Sequence, residues 1–197
     1  MFTLPPKDSC PPNEGPDEES KRQENAKKAK ETADLLFPGE KWIPYEDGIF
    51  LSLHRAIGKK SNFEDELRDA RILRDLGSTV YLVPEIRTVP VKKYDAIVDG
   101  IKMEFKNMSG KNSDTLIDHF YNSRKQAPNV FINLGKSPLS KEKILRILYG
   151  ARNSPKYDEK NKFPEGGLII LKIKGYNNLV YLDVNDLKTK EKNTGAN

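Results

Sequence analysis

Two carboxylates that could act together on a phosphate group lie on either side of an Asp-Gly pair. The stretches 94–98 (YDAIV) and 101–106 (IKMEFK) have the composition of strands, and Asp99-Gly100 between them is typical of a two-residue hairpin turn. A turn of this length fixes the register of the hairpin. In that register, Asp95 is predicted to lie directly opposite Glu104.

The two faces of this predicted hairpin differ in polarity. One face is apolar and suited to packing on a helix layer, because it pairs Tyr94 with Phe105, Ala96 with Met103 and Val98 with Ile101. The other face is polar, and it pairs Asp95 with Glu104, Ile97 with Lys102 and Lys93 with Lys106. The polar face therefore gathers two carboxylates and a nearby ammonium group on a small area.

This polar face suits metal-dependent hydrolysis of phosphodiesters. Like charges directly opposite each other destabilise a sheet, whereas a divalent cation between Asp95 and Glu104 turns their repulsion into coordination. Such a cation polarises a phosphate and lowers the pKa of a bound water, and Lys106 could orient that water or stabilise charge on phosphorus. The alternative is a set of ordinary salt bridges between exposed strand residues.

The elements that must position these residues begin near residue 62. The spacing predicts a helix over 63–76 that stops at Gly77, and a strand over 79–83. Beyond the hairpin, the sequence predicts a helix over 113–127, a strand over 129–134, a helix over 137–150 ended by Gly150, and strands over 167–174 and 179–184. The order αβββαβ, with an added helix and a terminal hairpin, predicts an α/β (α+β) fold with a central mixed sheet flanked by helices.

The composition divides the chain into three parts. Residues 1–34 are predicted to be a disordered or linker-like tail, because five prolines fall in the first sixteen positions and large apolar residues are few. A helix over 18–36 is compatible with the sequence, but its apolar stripe is thin. Residues 35–61 are predicted to be short strands or an irregular lead-in, and residues 62–189 to be the domain itself.

Charge and cysteine content narrow the classes of function. The 197-residue chain has a net charge of +5 and one cysteine, Cys10, which excludes an internal disulfide and favours a reducing compartment. We find no apolar run of membrane-spanning length and no secretory signal, so we expect a cytoplasmic site of action with no delivery route apparent. The stretch of residues 135–163 contains eight basic residues and only three acidic ones.

This basic stretch has two interpretations. It could be an ordinary solvated face, or it could be a surface that follows the phosphates of a nucleic acid. Under the second interpretation, the candidate nucleic-acid-binding residues are Lys136, Lys141, Arg146 and Arg152.

The segment spanning about residues 62 to 150 resembles the PD-(D/E)XK nuclease superfamily. More narrowly, it is similar to the tRNA nuclease domains at the C-termini of contact-dependent growth inhibition (CdiA) toxins. The residues that carry this resemblance are Gly77, Pro84-Glu85, Asp95, Asp99-Gly100, Glu104, Lys106 and Gln126-Ala127. The chain departs from the superfamily pattern at Tyr94, where a proline is usual.

This resemblance implies a restriction-endonuclease-like core and assigns roles to individual residues. Asp95 and Glu104 would be metal ligands and Lys106 the catalytic lysine. Glu66 would complete the metal shell, and Gln126 would lie near the site. The alternatives are a solvent-facing helix residue for Glu66 and a polar residue at a helix terminus for Gln126. The implied cofactor is Mg²⁺, with Mn²⁺ or Zn²⁺ as alternatives.

Three other residues could be mistaken for site residues. His54 and His119 are isolated histidines, which are more often structural or exposed than catalytic, although His54 could line the site. Asp99 is explained by the turn alone.

Three functions remain open from the sequence. The first is an endonuclease that cleaves RNA and acts as a toxin-like effector. The resemblance implies tRNA as its substrate and a cognate immunity protein as its partner. The second is a DNA endonuclease of the same fold. The third is a non-catalytic nucleic-acid-binding module of a phage or mobile element.

Overall fold

A computed structural model describes residues 16–57, 62–84, 94–158 and 166–187. Its helices are α1 (Pro16–Leu36), α2 (Leu53–Ile57), α3 (Phe63–Arg74), α4 (Ser113–Gln126), α5 (Lys141–Arg152) and α6 (Pro155–Asp158). Its strands are β1 (Trp42–Glu46), β2 (Ile49–Ser52), β3 (Val80–Leu82), β4 (Ala96–Val98), β5 (Ile101–Asn107), β6 (Asn129–Leu134), β7 (Leu168–Ile173) and β8 (Val180–Asp183).

All eight strands form one mixed sheet whose spatial order follows the order of the chain. Strand β2 is parallel to β3, and β5, β6 and β7 are parallel to one another; the remaining neighbours are antiparallel. The predicted fold class, a mixed α/β sheet flanked by helices, is confirmed. The predicted αβββαβ order corresponds to α3, β3, β4, β5, α4 and β6.

Helices cover both faces of the sheet. Helix α3 packs on one face through an apolar cluster that includes Leu67, Leu73, Ala96 and Met103. The other face carries α1 over β3 and β4, and α4 with α5 over β6 and β7. Because side chains alternate along a strand, β5 presents Met103 and Phe105 to α3, and Glu104 and Lys106 to the face that α4 covers.

Local signals set the ends of the helices around the site. The Asn112 side chain accepts a hydrogen bond from the Asp114 backbone N–H at 2.9 Å and begins α4. Ser140 does the same for α5 by accepting from the Lys143 N–H at 3.3 Å. Helix α5 therefore begins at Lys141 rather than at residue 137, and it continues through Gly150 to Arg152, so the predicted stop at Gly150 is wrong.

Two predictions about the N-terminal part of the chain need correction. The predicted disordered or linker-like tail covered residues 1–34, and it is wrong for residues 16–34, because α1 is helical and buries Ala29 and Ala33 against β3 and β4. Residues 1–15 lie outside the described residues. Residue 62 is not a structural boundary either, because β2 pairs directly with β3 in the same sheet. The predicted short strands within 35–61 are confirmed as β1 and β2. No helix in the described residues is both long and apolar enough to span a membrane.

Candidate active site

The hairpin that carries the candidate site has the predicted register. Ala96 pairs with Met103, Ile97 with Lys102 and Val98 with Ile101. The turn residues Asp99 and Gly100 have φ angles of 48° and 85°, as a type I′ turn requires. The Asp99 carboxylate accepts a hydrogen bond from the Thr79 N–H at 2.8 Å, which agrees with its assignment to the turn.

Asp95 lies where the two strands of the hairpin begin to separate. Its backbone N–H donates to the Met103 carbonyl at 3.1 Å, but its carboxylate oxygen Oδ2 accepts from the Phe105 N–H at 2.8 Å. The Asp95 side chain thus accepts the hydrogen bond that a backbone carbonyl of β4 would accept if the strand pairing continued. Asp95 is next to Glu104 as predicted, but one of its carboxylate oxygens is engaged by a backbone N–H of β5.

Tyr94 was predicted to lie on the apolar face opposite Phe105, and this prediction is wrong. The Tyr94 ring packs against Phe37 at a centroid distance of 6.2 Å, and the Lys102 ammonium lies 5.5 Å from the Tyr94 ring centroid. Both contacts belong to the face of Ile97. Because the strands separate before Tyr94, its side chain does not follow the alternation between the two sheet faces that a regular strand would show. Lys93, its predicted neighbour opposite Lys106, lies outside the described residues.

Glu104 is a buried carboxylate with one satisfied and one unsatisfied oxygen. Its residue exposure is 2%, and Oε1 accepts from the Lys106 ammonium at 2.5 Å. Oε2 is buried and has no hydrogen-bond partner among the described residues. Burial, reinforced by the neighbouring Asp95, raises the pKa of Glu104 to about 8 despite the opposing effect of Lys106. An oxygen in this environment is suited to a proton or a cation.

The donor set therefore fits a divalent cation, although it is smaller than predicted. Asp95 retains Oδ1, and Glu104 retains Oε2, and both are the hard oxygen ligands that Mg²⁺ and Mn²⁺ bind. Among the described residues, no group of three or more His, Cys, Asp or Glu side chains is placed to hold an ion. Water or phosphate oxygens would have to complete the coordination shell.

Glu66, the predicted third ligand, is engaged elsewhere. Its side chain is buried, accepts from the Asn62 amide at 2.7 Å and forms an ion pair with Arg55. Arg55 is itself buried, donates to the Val83 carbonyl at 2.8 Å and lies close enough to Asp95 to interact with its charge. Arg55 thus connects Glu66 with Asp95. Sequence reasoning missed this arginine because it lies in the lead-in segment, far from the motif.

His119 is a second residue at the site that sequence reasoning did not select. It lies on α4, half-buried, and its ring bonds to the backbone of Asn107. Burial and the nearby Lys106 ammonium lower the pKa of His119. The imidazole is therefore held in its neutral form beside the lysine, where it can exchange a proton with water or substrate. No short pattern in the sequence marks His119, because its proximity to Lys106 depends on how α4 packs on the sheet.

The remaining predicted residues are less closely associated with this group. Gln126 lies in the last turn of α4, where its amide donates to the Asn122 carbonyl at 3.5 Å. His54 is exposed and pairs with Glu40 at 2.8 Å, so it is not a buried site residue. Glu85 lies outside the described residues.

The four predicted nucleic-acid-binding residues have different environments. Lys136 and Arg146 are exposed. The Lys141 ammonium lies 5.5 Å from the Tyr176 ring centroid. Arg152 is buried, with its guanidinium 4.2 Å from the Tyr157 ring centroid, so it serves packing and is not available for phosphates.

The fold and the site define a mixed α/β protein with a buried carboxylate–lysine group on its central hairpin. The model of one family, the contact-dependent growth inhibition CdiA C-terminal domain, matches residues 92–163, which include Asp95, Glu104 and Lys106. A similar solved chain belongs to the CdiA-CT/CdiI toxin and immunity complex from Burkholderia pseudomallei. It shares 23% identity over 60% of this chain and 82% of its own, with a TM-score of 0.45. Among curated proteins, none is significantly similar.

Proposed function

We propose that this protein is a metal-dependent endonuclease that acts as a toxin effector, with tRNA as its favoured substrate. The observation that carries the proposal is Glu104, a buried carboxylate beside Asp95 whose second oxygen lacks a partner while its first binds Lys106. Burying such a group costs stability unless it binds a cation or a proton. Its presence on the central hairpin is best explained by chemistry.

The residues of the site have complementary roles in this proposal. Asp95 and Glu104 would hold a divalent cation, which supplies charge to a phosphate oxygen and lowers the pKa of a bound water. Lys106 is anchored on Glu104 but is partly exposed, so its ammonium can contact the attacking water or the phosphate. His119, whose pKa is lowered by burial and by Lys106, would receive or return a proton.

The choice of a toxin and of tRNA rests on similarity rather than on geometry. The matched family is named for contact-dependent growth inhibition, and its match covers the hairpin, α4 and β6. The pattern of residues in this segment also resembles the tRNA nuclease domains of CdiA toxins. A toxin that attacks cytoplasmic nucleic acid would harm the cell that makes it, so we propose a cognate immunity protein as partner.

A cleavage assay with purified protein tests this proposal. The chain is stripped of metal, supplied with Mg²⁺, Mn²⁺ or Zn²⁺, and incubated with total tRNA, ribosomal RNA, plasmid and genomic DNA. We expect metal-dependent cleavage of tRNA, and a loss of at least about 10²-fold in Glu104→Gln and Lys106→Ala. Lys174→Ala, which removes an exposed lysine after β7, is the matched control and should retain activity.

The outcomes of this assay separate the possible functions. Cleavage of DNA alone would replace the RNA substrate and keep the chemistry. Binding without cleavage in every metal would leave a non-catalytic module and refute the proposal, as would full activity in both site variants. In bacteria, induction of the wild type should arrest growth with fragmented tRNA, whereas Lys106→Ala should not.

A further inference from the structure

A second polar site lies at the carboxyl ends of the parallel strands β5 and β6, outside the Asp95, Glu104 and Lys106 group. A cavity of about 260 Å³ opens there, lined in part by Arg68, Asn107, Ser109, Asn133 and Lys136. Ligand cavities often occur where parallel strands end next to each other. This volume is below the range of drug-sized pockets, so it suits one small unit of a polymer rather than a duplex.

The amides of this cavity are held in fixed orientations by a buried carboxylate. Asp69, which is fully buried on α3, accepts from the Asn107 amide at 2.6 Å and from the Asn133 amide at 2.7 Å. Arg68 donates to the Asn107 side-chain oxygen at 2.9 Å, and the Gly135 N–H donates to the Asn133 side-chain oxygen at 3.0 Å. A hydrogen-bonded network of this kind holds its members rigidly, so the amides that line the cavity have fixed orientations before any ligand binds.

The residues that line the cavity carry charges of both signs. Asp65 binds Arg68 at 2.7 Å, so a hydrogen-bond acceptor and a donor lie side by side in the lining. Lys136 supplies an exposed ammonium to the lining. A carboxylate repels phosphate but accepts hydrogen bonds from base amino groups, whereas an ammonium attracts phosphate. The lining therefore suits a ligand that carries both a base and a phosphate.

The cavity is adjacent to the proposed catalytic group along the chain. Asn107 directly follows Lys106, and their side chains point to opposite faces of the end of β5. A nucleic-acid strand that crosses this edge of the sheet can contact Lys106 with one phosphate and reach the cavity with a neighbouring nucleotide. We propose that the cavity binds a single nucleotide of the substrate strand, with its phosphate on Lys136 and its base against Asn107 and Asn133. The link to a substrate strand rests on the proposed function.

Binding of mononucleotides tests this site without any cleavage. The full chain is titrated by calorimetry with AMP, GMP, CMP, UMP and inorganic phosphate in metal-free buffer. We expect at least one nucleotide to bind about tenfold more tightly than phosphate, and Lys136→Ala to weaken this binding about tenfold. Lys174→Ala should leave it unchanged. Thermal unfolding of each variant checks that the fold is retained, which the exposure of both lysines favours.

The results separate this site from the proposed function. Failure of every nucleotide to bind more tightly than phosphate, or equal binding by Lys136→Ala and wild type, overturns the nucleotide site even if the protein cleaves RNA. Lys136-dependent binding in a protein that cleaves nothing keeps the site and refutes the nuclease. If both hold, Lys136→Ala should raise KM for the nucleic acid and leave kcat unchanged.

Discussion

Arg55 is a buried arginine that lies between Glu66 and the candidate site residue Asp95. It is buried, and it forms an ion pair with the equally buried Glu66 while lying near Asp95. Removing one member of a buried pair leaves the other charge without compensation. We therefore expect Arg55→Ala to lower the free energy of unfolding by about 3–5 kcal/mol in urea denaturation.

A partly exposed pair in the same molecule provides the control. Arg71 binds Glu46 across the protein surface, where solvent screens the interaction. Arg71→Ala should lower the free energy of unfolding by about 1 kcal/mol or less. If the two substitutions had equal effects, Arg55 would not be the central ion-pair partner that the structure describes.

Asp69 should make the stability of the protein depend on pH. Burial raises the pKa of Asp69 from 3.8 to about 6, and this effect outweighs the hydrogen bonds from Asn133 and Asn107. Because the folded pKa exceeds the unfolded one, the stabilising contribution is complete below 3.8 and is lost as pH rises through about 6. The difference corresponds to about 3 kcal/mol.

The variant Asp69→Asn isolates this contribution because it cannot ionise. Urea unfolding of both proteins at about pH 4 and about pH 7 should show that the wild type loses more stability over this interval, by about 2 kcal/mol, because the unfolded carboxyl is already partly ionised at pH 4. Other carboxylates titrate equally in both proteins, so they cancel in the comparison. Parallel pH profiles would mean that Asp69 is not buried in the way described.

Only part of the site could be predicted at the level of residues. Spacing and register were sufficient to select Asp95, Glu104 and Lys106, because the Asp-Gly turn fixes which residues face each other. Arg55 and His119 could not be selected, because their proximity to the group depends on how α2 and α4 pack on the sheet. Long-range packing of this kind leaves no short pattern in one sequence.

At the level of elements, the hairpin turn should be intolerant of side chains at its second position. Gly100 has a φ of 85°, and a Cβ there would lie 3.3 Å from Lys28 and Thr32 of α1. Gly100→Ala should therefore cost about 1–2 kcal/mol of stability, because positive φ strains an L residue and α1 would have to move. Thermal unfolding measures this change as a lower Tm.

Gly150 is a control with the opposite expected sign. It lies within α5, and a Cβ there would meet nothing within 4 Å. Gly150→Ala should stabilise the protein by about 0.5–1 kcal/mol, because alanine loses less conformational freedom in a helix. If both alanine variants changed Tm in the same direction, the assignment of one glycine to a turn and the other to a helix would be wrong.

Helix α1 illustrates where element prediction failed. Its sequence is strongly charged, and its buried contacts with the sheet are made by small residues, Ala29 and Ala33. These alanines pack on Tyr81 and Ile97, which are large and fill the interface from the sheet side. A helix whose partner supplies most of the apolar surface shows only a thin stripe in its own sequence, so the sequence favoured a linker.

At the scale of the whole molecule, the N-terminal elements are integral to the sheet. Strand β2 extends the sheet beyond β3, and α1 covers Ile97 and Tyr81. Arg55 of α2 balances the charge of the buried Glu66. A chain that begins at the sequence-predicted boundary would expose a new edge strand and an apolar face, and would leave a buried carboxylate unpaired. The smallest stable unit should therefore be larger than the motif-bearing core.

Two truncated chains test this expectation. A chain spanning 16–197 should unfold cooperatively in urea with a midpoint close to that of the full protein. A chain spanning 62–197 should lack a cooperative transition. A typical domain is stable by only about 5–15 kcal/mol, and the loss of β2, α1 and Arg55 together should remove most or all of that free energy of unfolding. Circular dichroism and limited proteolysis report the outcome. A cooperative transition of 62–197 at the full-length midpoint would mean that the core folds alone and that the N-terminal elements do not contribute to its stability.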